Sequence, residues 1–195
     1  MPGGPGRRPS AGELVEAITA SGAREVVVLP NDAESVRVAR LAAGTAGSDH
    51  GLRISVIPTR AQVEGLAAVA VHEPGRAFEA DVLEMTATAR HVRQGAVTVA
   101  ARQAMTMAGR CEAGDALGVI AGDFAVVGTD LGDVAAIVLD RLLAGGGELV
   151  TIVAGDGSGD LGARAAAWVE RHHPHVDVTV YDGGQDRYPL LLSVE

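Results

Sequence analysis

The chain has 195 residues, a formal net charge of −9, 47% hydrophobic and 3% aromatic residues, and one cysteine. This length suits one ordinary domain or two small lobes, and the apolar content excludes disorder. The acidic balance argues against a nucleic-acid or anionic-membrane partner, the lone Cys111 excludes an internal disulfide or cysteine-rich zinc site, and no apolar run reaches the roughly 18 residues of a membrane span. With no signal-like apolar stretch at the N-terminus, the expectation is a soluble cytoplasmic α/β protein whose core is mostly Val, Leu and Ala.

In chain order, residues 1–9 (MPGGPGRRP) read as a flexible linker. Ser10 and Glu13 form a capping-box pattern for a short helix with Leu14 and Ile18 on one face, ended by Gly22. Glu25–Leu29 reads as a strand. Asn31 with Glu34 suits the start of a helix carrying Val36, Ala39 and Ala43, which Gly44 and Gly47 are expected to close. Arg53–Ile57 is the next strand, and Thr59 is placed to cap a helix through Val63, Leu66, Ala67 and Ala70. After the Glu73-Pro-Gly75 turn, Phe78, Val82, Met85 and Ala89 mark the best-patterned helix.

Residues 95–103 alternate as a half-exposed strand, and Gly122-Asp123, flanked by Gly118–Ala121 and Phe124–Val127, is a hairpin signal. Asp130 is placed to cap a helix through Val134, Ile137, Val138, Arg141 and Leu142, which stops at Gly145–Gly147. The apolar run Leu149–Ala154 reads as a covered strand, followed by a glycine-rich loop, Gly155–Gly159. Asp160 is placed to cap a helix with a stripe of Leu161, Ala165, Trp168 and His172. Pro174 stops that helix, and Val176, Val178 and Val180 alternate as a strand. A glycine turn and a final strand complete the chain. The fold expectation is α/β: a mostly parallel sheet from two βαβ units of similar length, with a more antiparallel hairpin section between them. Residues 10–195 then form one α/β domain, with 10–93 and 94–195 as candidate sub-lobes.

Most features that tempt a chemical reading have a plainer one. Gly155–Gly159 lacks the lysine and hydroxyl of a P-loop, and Asp156 and Asp160 repel an anion, so an ordinary strand–helix loop is preferred. Asp130/Asp133 and Asp156/Asp160 sit at helix starts, where Asp is favoured by capping. His172, His173 and His175 lie at a helix end, where they suit the last carbonyls, and they lack metal-ligand spacing. Cys111 reads as a buried or inert thiol. What remains is a row of residues after strands, where open α/β sheets meet ligands and partners: Asn31, Thr59, Arg60, Asp156, Ser158, Gly183, Gly184, Gln185, Arg187 and Tyr188. Capping and turn formation account for Asn31, Thr59 and Ser158. They account less well for Gln185, Arg187 and Tyr188, which are not turn formers and stand before the extended Pro189.

The segments ELVTIVAGDG and DGGQDRYPLLLSVE, with VVVLPND, VIPTRAQVEGLAAVAVHEP, GAVTVAARQ and EAGDALGVIAGDFAVVG in the same order, resemble the C-terminal domain of the bacterial fatty acid kinase large subunit, of the dihydroxyacetone-kinase-related family. The resemblance spans about residues 24–195. The chain departs from that pattern at Asp32, Glu64, Gln103 and Asp186-Arg187. The resemblance implies a non-catalytic domain, a fragment or stand-alone copy, that docks an acyl-binding subunit for an upstream kinase domain. ATP and magnesium belong to that kinase domain, and neither a cofactor nor a metal is expected in this chain. The family's covalent substrate histidine carries over to none of His50, His72 or His91. The alternative is a small-molecule-binding or enzymatic α/β domain acting on dihydroxyacetone-like substrates.

This polypeptide alone is expected neither to bind ATP usefully nor to transfer phosphate. Calorimetry with ATP and magnesium is the check, and low-micromolar association, about −8 kcal/mol, overturns the expectation.

Overall fold

The computed structural model describes residues 8–195. The linker reading of residues 1–9 falls, up to residue 7, outside the described residues. The chain divides into two compact units, one ending at His91 and one running from Val92 to Glu195. Among the described residues no helix is long and apolar enough to cross a membrane.

The first unit contains α1 (Ala11–Ala20), β1 (Glu25–Val28), α2 (Ser35–His50), β2 (Arg53–Val56), α3 (Gln62–Ala70) and α4 (Phe78–His91). The capping box forms: Ser10 Oγ accepts from the Glu13 N–H at 3.2 Å, and Glu13 Oε2 accepts from the Ser10 N–H at 2.7 Å. β1 and β2 pair in parallel as a two-stranded sheet, α1 packs on α2, and α3 packs on α4. Ile57, Ala68, Met85 and Ala89 form a buried cluster with Val27 and Leu29 against it. α2 does not stop at Gly44 or Gly47; it continues to His50 and ends at Gly51 in the left-handed conformation (φ 63°). Its buried stripe is Ala39, Ala42 and Ala46, so the small residues expected to end the helix lie within it.

The second unit contains β3 (Arg93–Val99), β4 (Ala104–Thr106), β5 (Gly109–Cys111), β6 (Ala116–Ile120), β7 (Asp123–Gly128), α5 (Leu131–Leu143), β8 (Leu149–Ala154), α6 (Leu161–His172), β9 (Asp177–Asp182) and β10 (Leu190–Val194). Six strands form one sheet in the order β7-β6-β3-β10-β8-β9. α5 packs on β3, β6, β7 and β10, and α6 on β8 and β9. Both helices share a core with Val97, Val150, Ile152, Leu190, Leu192 and Val194. α5 comes close because Gly95 and Gly118 lie beneath it; a Cβ there would stand 2.8 and 2.6 Å from the methyls of Val138.

Both βαβ units form as expected. Glu25 pairs with Arg53 and Leu149 with Asp177, 28 residues on in each case, all in parallel register. The α/β class stands, but the large sheet is mixed rather than mostly parallel. Only β8–β9 is parallel; β10 lies antiparallel between β3 and β8, and β3–β6 and β6–β7 are antiparallel too. The last strand returns to the centre of the sheet because Leu190–Val194 is buried throughout and needs a ladder on each side.

Two local expectations shift. The hairpin turn is Ala121-Gly122 (φ 53° and 95°), not Gly122-Asp123, since Ile120 pairs with Asp123. The stretch 95–103 is not one strand. β3 ends at Val99, and the chain enters the small β4–β5 hairpin, whose Cys111 is buried while Met105 and Met107 are exposed.

Candidate functional site

The residues singled out after strands fall into two groups, one in each unit. In the first, Asn31 adopts the left-handed conformation (φ 55°), which Asn tolerates better than most residues. Its N–H donates to Thr59 Oγ1 at 3.0 Å, joining the loops that follow β1 and β2. Thr59 is 1% exposed and makes no cap to α3, whose N-cap position is Ala61. Asn31 does not cap α2, whose N-cap position is Glu34 without a side-chain cap; in the turn before the helix, Asp32 Oδ2 accepts from the N–H and hydroxyl of Ser35 at 3.0 and 2.6 Å. The physical reason is that φ at Asn31 turns the chain before the helix begins. Its side chain packs instead on Gly65, where a Cβ would lie 2.2 Å from Asn31 Oδ1. That oxygen is buried without a partner among the described residues. The Arg60 side chain is exposed, while its N–H donates to Glu64 Oε2 at 2.6 Å.

In the second unit the loops after β8 and β9 lean on one another. The Gly155 N–H donates to the Pro189 carbonyl at 2.9 Å and the Asp156 N–H to the Gln185 carbonyl at 3.0 Å. A Cβ on Gly155 would stand 2.3 Å from the Tyr188 carbonyl oxygen, so only glycine allows this approach. The Ser158 N–H donates to the Gly155 carbonyl at 3.2 Å, closing the loop that ends at Asp160. Asp160 makes no side-chain cap to α6, contrary to expectation; its φ of −89° and ψ of 4° lie outside the extended geometry that usually aims a cap side chain at the helix.

The turn Gly183–Tyr188 is more structured than its sequence implies. Only Gly184 has positive φ (59°); Gly183 is required because a Cβ would lie 2.4 Å from the Val153 side chain. Gln185 does not point outward. Its Nε2 donates to the carbonyls of Val153 and Tyr188 at 3.1 and 3.0 Å, tying the turn to the end of β8, where Val153 is also paired with Leu191. Arg187 is exposed, its guanidinium lying 5.6 Å from the centroid of the Tyr188 ring, and Tyr188 is half-buried. The Arg187 carbonyl accepts from Thr98 Oγ1 at 3.1 Å. The result is a turn tied down by backbone and amide groups that presents Arg187 and one face of Tyr188.

The carboxylates at helix starts behave as caps where the backbone allows it. Asp130 accepts from the Gly132 and Asp133 N–H groups at 2.8 and 3.0 Å, and the Asp133 hydrogen bond is the main reason its carboxyl lies below the usual range. His172 Nδ1 lies 2.8 Å from the Trp168 carbonyl, with the two rings stacked at 4.6 Å.

Sequence reading missed a charged cluster in the first unit. Asp81 is 5% exposed and accepts from His72 Nδ1 at 2.6 Å, from the Glu73 N–H at 3.1 Å and from Arg76 Nη1 at 3.3 Å. The cluster lines a pocket of about 390 Å³ whose apolar wall includes Val27, Leu29, Val69, Phe78 and Met85. The signal in the sequence is Asp81 four residues before Met85, a carboxylate within an apolar stripe. The His72 hydrogen bond, helped by the Glu73 N–H and Arg76, holds the Asp81 carboxyl below its ordinary value against the opposing effect of burial.

The family model for the FakA-like C-terminal domain of fatty acid kinase matches residues 1–195. An uncharacterized Staphylococcus haemolyticus protein is 29% identical over 194 residues, covering 99% of this chain and 34% of that one. Protein YloV of Bacillus subtilis is 26% identical over 196 residues, again covering 99% and 34%. The chain thus spans about a third of the length of the relatives it matches. Among solved structures, a DegV family protein from Eubacterium eligens loaded with heptadecanoic acid has a TM-score of 0.72 at 17% identity, covering 96% of this chain and 78% of that one. The Streptococcus pneumoniae fatty acid kinase B3 protein loaded with linoleic acid has 0.69 at 13%, covering 96% and 76%. Dihydroxyacetone kinase from C. freundii, in complex with AMP-PNP and magnesium, has 0.68 at 16%, covering 95% and 42%. These likenesses establish a shared fold.

Two outcomes test the first unit's loops. Gly65→Ala would favour an open helix by about 1 kcal/mol, yet here it is expected to destabilise by roughly 1–3 kcal/mol, because the methyl displaces Asn31; urea unfolding decides the sign. A depressed carboxyl stabilises fully above its unfolded value and loses that contribution as pH falls through its folded value. The stability gap between wild type and Asp81→Asn is therefore expected to hold from neutral pH to about pH 5 and to close on further acidification, as read from urea midpoints against pH.

Proposed function

Since the chain belongs to the FakA-like C-terminal family of fatty acid kinase, we propose that it is the docking domain of a fatty acid kinase large subunit. In this role it is not itself catalytic. It holds an acyl-carrying partner protein so that an ATP-dependent kinase domain, elsewhere in the longer polypeptide, phosphorylates the acyl group. The observation that carries the reading is the family match along the whole chain, taken with its coverage of only about a third of its relatives. The fold it shares with a lipid-loaded fatty acid kinase B3 protein and with dihydroxyacetone kinase is consistent with membership of a multi-part kinase system.

Gly183–Tyr188 is the surface best suited to docking. Gln185 and the close approach to Gly155 fix the backbone from behind, so little conformational freedom is lost when a partner binds. Arg and Tyr are among the residue types that most often dominate interface energetics. Arg187 stacked on Tyr188 offers a cation and an aromatic face together. Asp156 and Ser158, on the adjoining loop, extend this surface. Asn31, Thr59 and Arg60 belong to the other unit, and of these Arg60 is the one with an exposed side chain.

A second reading, a domain acting on small dihydroxyacetone-like molecules, draws on the pocket beside His72 and Asp81. Its polar groups are largely spent on one another, which makes it the weaker reading.

The double substitution Arg187→Ala and Tyr188→Ala tests the docking role against a purified acyl-binding protein of a fatty acid kinase system. Affinity is expected to fall at least tenfold while the melting temperature changes little, since the bonds that hold the turn come from Gln185 and backbone groups. Loss of stability with unchanged affinity of the folded fraction would make the turn structural and move the docking site elsewhere.

A further inference from the structure

The six-stranded sheet has two edges, and they differ. On β7 the extra residue of a bulge, Ala125, lies between the pairs made by Phe124 and Val126, and its carbonyl accepts from Arg141 Nη1 at 2.9 Å. A bulge and a basic side chain are two ways in which proteins stop an edge from pairing. β9 has neither. It runs in unbroken parallel register with β8 over six residues.

The bonds at its two ends fix which way its backbone faces. The Asp177 N–H donates to the Glu148 carbonyl and the Gly183 N–H to the Ala154 carbonyl, each at 2.8 Å. In a parallel ladder the residue that bonds a neighbour uses both its N–H and its C=O, and alternate residues face the other way. Asp177, Thr179 and Tyr181 therefore bond β8, while Val178, Val180 and Asp182 turn their backbone groups outward. The side chains between the terminal aspartates are Val-Thr-Val-Tyr, without Lys, Pro or Gly to blunt the edge, and Val180 and Tyr181 are 44% and 54% exposed. The edge leads directly into the turn Gly183–Tyr188.

We propose that the outer edge of β9 is a strand-addition site. It accepts an extended segment of the docked acyl-binding protein as a seventh strand, bonded through Val178, Val180 and Asp182. That segment carries β-branched or aromatic residues opposite Val178–Tyr181, and Lys or Arg where it meets Asp177 and Asp182. Charge selects this occupant over a second copy of the chain. Self-pairing would bring together two chains that each carry a net charge of −9 and two edges that each end in Asp177 and Asp182, whereas a segment with Lys or Arg at those ends is attracted to them. The inference rests on the docking role proposed above and names a surface for it.

The test uses the whole chain, a purified acyl-binding protein of a fatty acid kinase system, calorimetry and amide hydrogen exchange. Val180→Pro removes an outward N–H without touching the β8 ladder, so it is expected to fold, as Trp168 fluorescence and thermal melting will show. Partner affinity is expected to fall at least tenfold. In the wild-type complex the amides of Val178 and Val180 are expected to become protected from exchange. Should Val180→Pro misfold, Val180→Lys blunts the same edge and is expected to weaken binding to a similar degree. Wild-type binding with Val178 and Val180 unprotected, or undiminished in the folded variants, overturns the edge proposal and leaves the docking role standing. No wild-type binding overturns both. Protection of these amides in the chain alone, growing with its concentration, identifies a second copy as the occupant and also overturns the proposal.

Discussion

Leu190–Val194 is buried on both faces, and such a strand is stable only where ladders on both edges satisfy its backbone. β3 and β8 supply them, each in antiparallel register with all five residues. Leu190, Leu192 and Val194 are fully buried beneath the two helices, each side chain stabilising by about 1.5–3 kcal/mol. The rest of the second unit follows from that burial. β10 joins the antiparallel half of the sheet to the β8–β9 pair, and it sets where the chain before it must turn.

The candidate surface is a consequence of the same constraint. To bring Leu190 beside Ala154, the chain must fold back immediately after β9, against the loop that leaves β8. Gly155 and Gly183 allow the contact, and the Gln185 amide, donating to the carbonyls of Val153 and Tyr188, holds the turn against the end of β8. Arg187 and Tyr188 are displayed because their neighbours are occupied. The turn is thus a rigid device, unlike a mobile surface loop.

The first unit uses a different arrangement for its loops. A side chain links the ends of its two parallel strands, with the buried Thr59 hydroxyl receiving the Asn31 N–H and Gly65 making room for the Asn31 amide. Beyond the other end of α3, Asp81 gathers His72, Glu73 and Arg76 into a single charged knot that ties the α3–α4 connection to the first turn of α4. Burying that carboxylate is tolerable because three donors surround it.

Local features were legible in the sequence because their causes lie within a few residues. The capping box at Ser10, the cap at Asp130 and both βαβ units follow from side-chain spacing, turn residues and the handedness of crossover connections. The six linked segments also carried the family resemblance. Other features depended on partners far along the chain, and only the tertiary structure decided them. Nothing in Leu190–Val194 itself says that it lies between β3 and β8 rather than beside β9, so the balance of parallel and antiparallel pairing stayed hidden. Gln185 turns inward onto the carbonyl of Val153, 32 residues away, a partner that its neighbours in sequence do not reveal. Asn31 does not cap α2 as expected, because it lies in a left-handed turn bonded to Thr59, 28 residues on. Asp81 falls within the apolar stripe of its helix, but only packing places His72 and Arg76 around it. Spacing along the chain specifies elements, whereas the pairing of polar groups across it is settled only when burial removes water as the alternative partner.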